Sequence, residues 1–383
     1  MGLLTALDFH QKLQLDNNKK SAEIEYQLYS WGEICKPFLG NPEHSLGARH
    51  ILNDFPFKLF SSSTPTGPLP QKLCLIFRPP EETRIKGQST IQGIFPNEIV
   101  KEFVAFLSLV TRRRVFVNKQ TRYNGLPIEK KAEIYQRSHF QEAQKSKEID
   151  PKKIYQLLEN IRLLDRPVAN SFILAMRLYH TAVEMMYTEP EFSYLLLVTC
   201  LEAISSLVNT NYSLDNKDSF LDSKFPGWKD IDKHLKEEKD KDKLKDVLLK
   251  NEHCIFRKLC KFVLDNVPDN FYNEDKDDTK PDYYTNSPLQ EYEKIKKEDL
   301  SKALHNIYDA RSALVHKGVR LPQSIVLGHF GMLTTEVVAE MIDPGWKPEI
   351  PSLLTFERLV SYTMTEFLNK QNPDNAIHSP KQK

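Results

Sequence analysis

Short apolar or alternating segments dominate the first third of the chain, separated by stretches that contain proline and glycine. This pattern predicts β-strands at Glu23–Trp31, Phe57–Ser61, Lys72–Phe77 and Arg114–Asn118. Between the last two, Pro96–Val110 carries apolar residues at the spacing of one helical face. Residues 1–147 are therefore predicted to form a small mixed α+β domain that senses or positions something.

From about residue 151 onward the apolar positions recur with the period of an α-helix. Helices are predicted at Ile154–Leu164, Pro167–Tyr187, Pro190–Val208, Glu252–Leu264, Asp299–Val315, Ser324–Asp343 and Ser352–Leu368. The third of these is apolar almost all round, so we expect it at the buried centre of an all-α bundle over residues 148–371. Residues 372–383 have nothing to bury and are expected to be a disordered tail.

A charged insertion is expected within the bundle at about residues 210–298. Lys229–Lys250 has eight lysines and seven acids with few apolar residues, which is typical of one solvated helix. Asp265–Tyr283 holds seven acids, two lysines and two prolines, which indicates a surface insertion that need not be ordered.

Composition restricts the classes of function. The 383 residues carry 53 basic and 52 acidic side chains, a net charge of +1, so any nucleic-acid contact must be a local basic patch. The five cysteines form no CxxC pair, which favours reduced thiols in a cytoplasmic protein. No uninterrupted apolar window of about 18 residues occurs, so no membrane span is expected. Phosphate-loop, dinucleotide and HExxH motifs are also missing, and we expect no cofactor and no metal.

One helix carries an arginine where its apolar stripe predicts a core residue. The stripe of Lys296–Gly318 consists of Leu300, Leu304, Ile307, Leu314 and Val315. Arg311 continues this stripe. Burying a guanidinium without a partner costs several kcal/mol, on the order of the stability lost when a buried ion pair is broken. Glu202 is the only charge between Phe192 and Val208, so we predict that Glu202 and Arg311 approach each other. A purely structural ion pair is the alternative to a ligand-binding arginine.

His316 is predicted to lie in the last turn of this helix, because Gly318 supplies a helix stop. The helix dipole there favours the protonated imidazole, which suits acid–base chemistry, although a capping histidine is the alternative. Five residues on a helix place Arg311 and His316 about 140° apart around the axis and about 7.5 Å along it. They can cooperate only at a frayed helix end or across subunits.

A second stripe of the same helix contains the residue types of a serine-hydrolase triad, namely His305, Asp309, Ser312 and His316. Seven residues separate Asp309 from His316, about 10 Å along the axis, so no relay of that kind can form within the helix. We interpret the stripe as a polar face towards a cleft or partner.

A basic stretch precedes the bundle. Thr111–Arg122 holds Arg112, Arg113 and Arg114 together with two further cations and no acid. The three arginines are predicted to contact RNA phosphates, and a solvated strand edge is the alternative.

The segment RSALVH, Arg311 to His316, followed by Lys317 and Gly318, resembles the RxxxxH signature of HEPN domains. The helix YLLLVTCLEAIS, about a hundred residues earlier, resembles the core helix of HEPN proteins of the ApeA-like group. The resemblance covers approximately residues 148–368. The chain departs from the pattern at Ser312, where active members often have a larger polar residue.

This resemblance implies a metal-independent endoribonuclease that acts in toxin or anti-phage defence. Two bundles would form a homodimer, and the paired motifs would build one site in the cleft. Arg311 and His316 are implied as catalytic residues, Glu202, Ser312 and Asp309 as auxiliary or orienting residues, and Lys317 as an RNA contact. A regulatory or phage-derived trigger is expected at the N-terminal domain.

Two other functions stay open. The family also contains catalytically silent members that bind nucleotides or partner proteins. A metal-dependent nuclease would instead use the acidic cluster of Glu274, Asp275, Asp277 and Asp278, since hard cations bind carboxylate oxygens.

Overall fold

The chain combines one antiparallel sheet with a larger set of helices. The computed structural model describes residues 3–8, 23–31, 57–61, 71–78, 96–123, 126–128, 143–144, 151–186, 188–208, 221, 225, 227–235, 238–250, 255–272, 281–282, 295–321 and 350–371. The predicted α+β class is confirmed. The domain boundary near residue 147 stays a prediction, and the tail at 372–383 lies outside the described residues.

Five antiparallel strands form the main sheet in the order β2-β3-β1-β4-β5. They are β1 (Ile24–Trp31), β2 (Phe57–Ser61), β3 (Gln71–Phe77), β4 (Arg114–Tyr123) and β5 (Leu126–Pro127). Alternate residues of β3, namely Leu73, Leu75 and Phe77, are fully buried, as the alternating pattern requires. All four predicted strands are therefore present. A second, two-residue ladder joins β6 (Ala143–Gln144) to β7 (Pro281–Asp282).

Helix α1 (Pro96–Thr111) covers the sheet with its apolar face. The ring of Phe103 stacks on Phe57 of β2, with 4.2 Å between ring centroids. Complete burial of such a side chain contributes about 1.5–3 kcal/mol to folding. The sheet and α1 thus form one packed layer pair.

A short helical segment lies at residues 3–8, and eight further α-helices follow from residue 151 onward among the described residues. They are α2 (Pro151–Leu163), α3 (Arg166–Met185), α4 (Pro190–Val208), α5 (Trp228–His234), α6 (Glu238–Lys250), α7 (Ile255–Asn266), α8 (Leu300–Lys317) and α9 (Leu353–Asn369). Helix α4 contacts α3, α7, α8 and α9, and its Tyr194 ring packs 4.7 Å from that of Phe356 in α9. The predicted central position of α4 is confirmed. Helix α3 also packs on α1, so buried side chains form one core that continues from the sheet into the helices.

Three details differ from the sequence predictions. Lys229–Lys250 was expected to be one helix but contains two, α5 and α6, because Leu235 adopts an extended backbone. Asp265–Tyr283 is not wholly a surface insertion, since Phe271 in a short 3-10 helix is 2% exposed. The apolar stripe of α8 reaches solvent at its end, where Val315 is 51% exposed. The predicted helix Ser324–Asp343 lies outside the described residues.

Helix α4 is also long and apolar enough, by composition, to cross a membrane. It is the one helix of this kind among the described residues, and core helices of soluble proteins pass the same test. Because α4 packs against four other helices, this feature does not indicate a membrane protein. The cysteines that the structure describes, Cys74, Cys200 and Cys260, are free thiols.

Candidate active site

Helix α8 presents its candidate residues on different faces. Leu300, Leu304 and Ile307 are buried, and Arg311, one turn further on, is partly exposed. The helix ends at Gly318, whose φ of 65° lies in the left-handed region, and its N–H donates to the carbonyl of Ala313. The predicted helix stop is confirmed, and it puts His316 and Lys317 in the last turn, both exposed.

Arg311 forms an ion pair with Glu202 of α4, as the sequence predicted. The distance from Arg311 Nη2 to Glu202 Oε2 is 3.4 Å, and the two side chains are 24% and 14% exposed. A guanidinium has five N–H donors, and this is the one hydrogen bond that Arg311 makes to the described residues. Its remaining N–H groups are not enclosed, so they can donate to a further anionic partner.

The carboxylate of Glu202 is held in a poorly solvated position. Burial raises its pKa above the ordinary value, while the charge of Arg311 and the nearby hydroxyl of Tyr308 lower it in part. Its second oxygen, Oε1, is buried and has no hydrogen-bond partner of good geometry among the described residues. Because a buried carboxylate oxygen without a hydrogen bond is unfavourable, the negative charge of Glu202 needs the neighbouring cation of Arg311.

Tyr308 is the site residue that the sequence analysis missed. The Arg311 guanidinium lies 5.7 Å from the centroid of its ring, within the range of a cation–π contact. Burial and the charge of Glu202 raise the pKa of Tyr308, so its hydroxyl stays protonated at neutral pH. The ring also packs 4.9 Å from that of Phe256 in α7. The available signal was its position three residues before Arg311, which places both on one helix face.

The other residues of the polar stripe do not join this cluster. His305 Nε2 lies 3.4 Å from Asp309 Oδ2, one turn away on the exposed face. Asp309 therefore contacts His305 and neither Arg311 nor His316. Within the described part of the chain, the side chain of Ser312 makes no hydrogen bond to Arg311, His316 or Glu202. The orienting roles predicted for Asp309 and Ser312 thus have no support from within one subunit.

The basic patch predicted to bind RNA is mostly internal. Arg112 donates from Nη2 to Glu357 Oε2 of α9 at 3.0 Å, and these side chains are 8% and 7% exposed. Arg113 is 2% exposed and Arg114 is partly buried. Arg112 and Arg113 are therefore corrected from RNA contacts to buried residues, because a guanidinium withdrawn from solvent cannot reach a polyanion outside.

The Arg112–Glu357 ion pair connects the turn before β4 of the sheet to helix α9. Arg112 has a φ of 51°, an uncommon value for a residue other than glycine, and it lies in the turn between α1 and β4. The hydroxyl of Tyr179 in α3 also donates to Glu357. The partner of Arg112 is 245 residues away in the chain, which is why the sequence pattern gave no sign of its burial.

Metal binding has no evident place in the described residues, where no three His, Cys, Asp or Glu side chains cluster. The acidic cluster at Glu274, Asp275, Asp277 and Asp278 lies outside them.

A scan against protein-family models gave no match, and searches among curated proteins and solved structures also found no similar protein.

Proposed function

We propose that the chain is a metal-independent endoribonuclease of the HEPN type that works as a homodimer. The observation that carries this proposal is the state of Arg311: it is fixed by Glu202 and Tyr308, yet most of its donors remain available. An exposed imidazole, His316, lies on the last turn of the same helix. A positioned cation and an accessible acid–base group are two of the parts that RNA cleavage without a metal requires.

In this mechanism Arg311 binds the non-bridging oxygens of the scissile phosphate. Its charge stabilises the extra negative charge that develops on them in the transition state. His316 takes the proton from the ribose 2′-hydroxyl, whose oxygen forms a bond to phosphorus. The bond from phosphorus to the 5′-oxygen breaks, and that oxygen receives a proton. The products are a 2′,3′-cyclic phosphate and a 5′-hydroxyl.

A twofold axis supplies what one chain lacks. The cleavage described above needs both a base and an acid, whereas each copy of α8 has one histidine in its last turn. Arg311 and His316 of one chain also point about 140° apart around the helix axis. In a symmetric dimer the second copy of α8 brings another His316 to the same cleft, so that one imidazole acts as base and the other as acid. Lys317, exposed beside His316, then contacts a flanking phosphate.

Cleavage of RNA in EDTA by the purified protein tests this function. We expect Arg311→Ala and His316→Ala each to reduce the rate by at least about 100-fold, the usual worth of an acid–base or charge-stabilising group. Matched controls on the same helix region are Arg320→Ala and His305→Ala, both at exposed positions, which should leave the rate within about twofold.

The mass of each variant in solution completes the test. Every variant should remain a dimer, so that a lost rate reflects chemistry rather than assembly. Equal loss in the His305 or Arg320 controls, or a fully active His316→Ala, contradicts the assignment.

A silent HEPN module is the second candidate, and one observation favours it. Arg311, Glu202 and Tyr308 all belong to one subunit, so the ion pair has a structural use without any substrate. In that case RNA stays intact under all conditions, and Arg311→Ala mainly lowers stability. The ribonuclease proposal includes a role in toxin or anti-phage defence systems and a cytoplasmic location.

A further inference from the structure

A cavity of about 550 Å³ opens between α1, β4 and α3, and it shares no residue with the candidate active site. Its volume lies within the range of pockets that bind small molecules, about 300–1,000 Å³. One face of α1, a run of β4 and one face of α3 line it.

The floor of the cavity is apolar. Val100, Val104 and Ala105 on one face of α1 line it, and all three are at most 1% exposed. Side chains that belong to the close-packed core move little, so the floor is part of the packing between sheet and helices.

Three cations from three different elements surround this floor: Lys101 of α1, Lys119 of β4 and Arg177 of α3. Lys119 has no carboxylate partner among the described residues. Lys101 and Arg177 share Glu98, at 3.0 Å and 3.6 Å. Exposed pairs of this kind contribute little to stability, so both cations can turn to a bound anion at small cost.

One lining carboxylate opposes these charges. Glu184 Oε2 lies 3.8 Å from Nδ1 of His180, and the other ring nitrogen of His180 contacts the carbonyl of Val115 at 2.7 Å. Glu184 is therefore held to one side by its own helix. Counted together, the three cations, Glu184 and the shared Glu98 leave a net charge of about +1 at the cavity.

One amide adds a donor group. Tyr26 donates to Asn97 Oδ1 at 2.9 Å, which leaves the Nδ2 group of Asn97 for a ligand. An amide held in this way recognises hydroxyl groups.

We propose that this cavity binds a small organic phosphate. A phosphate dianion has three terminal oxygens, which suit an Arg fork and two Lys ammonium groups that approach from separate sides. The amide of Asn97 binds hydroxyl groups of the carbon skeleton, which lies against the apolar floor.

Calorimetric titration of the full-length protein tests the proposal. The probes are glycerol 3-phosphate, ribose 5-phosphate, glucose 6-phosphate, inorganic phosphate and citrate. At least one organic phosphate should bind with a Kd of about 1 mM or tighter. Lys119→Ala and Arg177→Ala should each weaken it at least about tenfold, and Arg166→Ala, an exposed arginine of α3 outside the cavity, should not change it.

A steric variant separates the cavity from charge alone. Thr181 lines the rim and is exposed, so Thr181→Trp should block entry without changing the charge or the fold. Thr199→Trp, exposed on α4 and outside the cavity, is its matched control. Binding that survives Thr181→Trp, equal binding of citrate, or no binding of any organic phosphate overturns the proposal. The same titration with His316→Ala should be unchanged, so this result stands apart from that of the ribonuclease assay.

Discussion

Arg311 lies between the protein core and the solvent, and its neighbours determine how its guanidinium can act. Glu202 and Tyr308 hold it from the core side, and its other donors face outward. Removal of Glu202 would leave the guanidinium in place but free to rotate. Glu202 is thus a positioning residue rather than a catalytic one, and its effect should depend on its own protonation.

The protonation of Glu202 gives a prediction about pH. Burial raises its pKa in the folded protein above the ordinary value of 4.5. Glu202 then binds a proton more readily in the folded state than in the unfolded state. Protonation of Glu202 therefore stabilises the folded state at low pH, and this stabilisation is lost as the pH rises through the raised pKa. Glu202→Gln, which resembles the protonated form, should therefore gain stability relative to wild type as the pH rises above 4.5, the ordinary pKa of the carboxyl group.

Urea unfolding of both proteins at several pH values measures this difference. A stability gap that does not change with pH, or that moves in favour of the wild type as pH rises, contradicts the predicted direction.

The buried pair of Arg112 and Glu357 gives a prediction about stability. Arg112→Ala leaves the Glu357 carboxylate buried beside the Tyr179 hydroxyl without its cation, and such a loss costs about 3–5 kcal/mol. Arg78→Ala is the control, because Arg78 and Glu23 form an exposed pair worth at most about 1 kcal/mol. Urea unfolding midpoints should separate the two variants clearly. Similar midpoints would mean that Arg112 is not the structural residue described above.

At the scale of the element, the end of α8 determines where His316 lies. Gly318 takes a left-handed conformation that closes the last turn, and the N–H groups of Gly318 and Val319 both donate to Ala313. This arrangement satisfies carbonyls that would otherwise be left open at a helix end. The direction of the imidazole therefore depends on a glycine that has no chemical role.

Gly318→Ala tests this dependence. A Cβ there meets no atom within 4 Å, so the cost is backbone strain alone, about 1 kcal/mol. Gly227→Ala is a matched control, because Gly227 also has a positive φ and open space around its Cβ position. Both variants should lose similar stability in urea unfolding, but only Gly318→Ala should also slow RNA cleavage. Equal cleavage by the two variants contradicts a role for the cap in placing His316.

The sequence predicted most elements because burial repeats at the period of each structure. The limits of β2 and α4 agree with the predicted ones, since each is a compact apolar segment with polar or proline-containing ends. The break near Leu235 was not predicted, because neither proline nor glycine marks it. The Arg311–Glu202 pair was predictable, since two lone charges in apolar helices need each other. The burial of Arg112 was not, because its partner is distant in sequence.

At the scale of the whole molecule, the two groups of interest belong to connected parts of one packed structure. Helix α3 contacts both α1 and α4, and α4 carries Glu202. The proposed phosphate cavity is lined by α1, β4 and α3, so α3 connects it to the helix that holds Glu202. The account of RNA cleavage still depends on a second copy of the chain, which would bring another His316 to the cleft.

The chemical ends of RNA cleaved in EDTA test the central claim most directly. Attack by the 2′-hydroxyl without a metal predicts 5′ fragments that end in a 2′,3′-cyclic phosphate and 3′ fragments that begin with a 5′-hydroxyl, absent in digests with His316→Ala. Fragments with 5′-phosphate and 3′-hydroxyl ends, or RNA that remains intact with the dimeric wild-type protein, would contradict it.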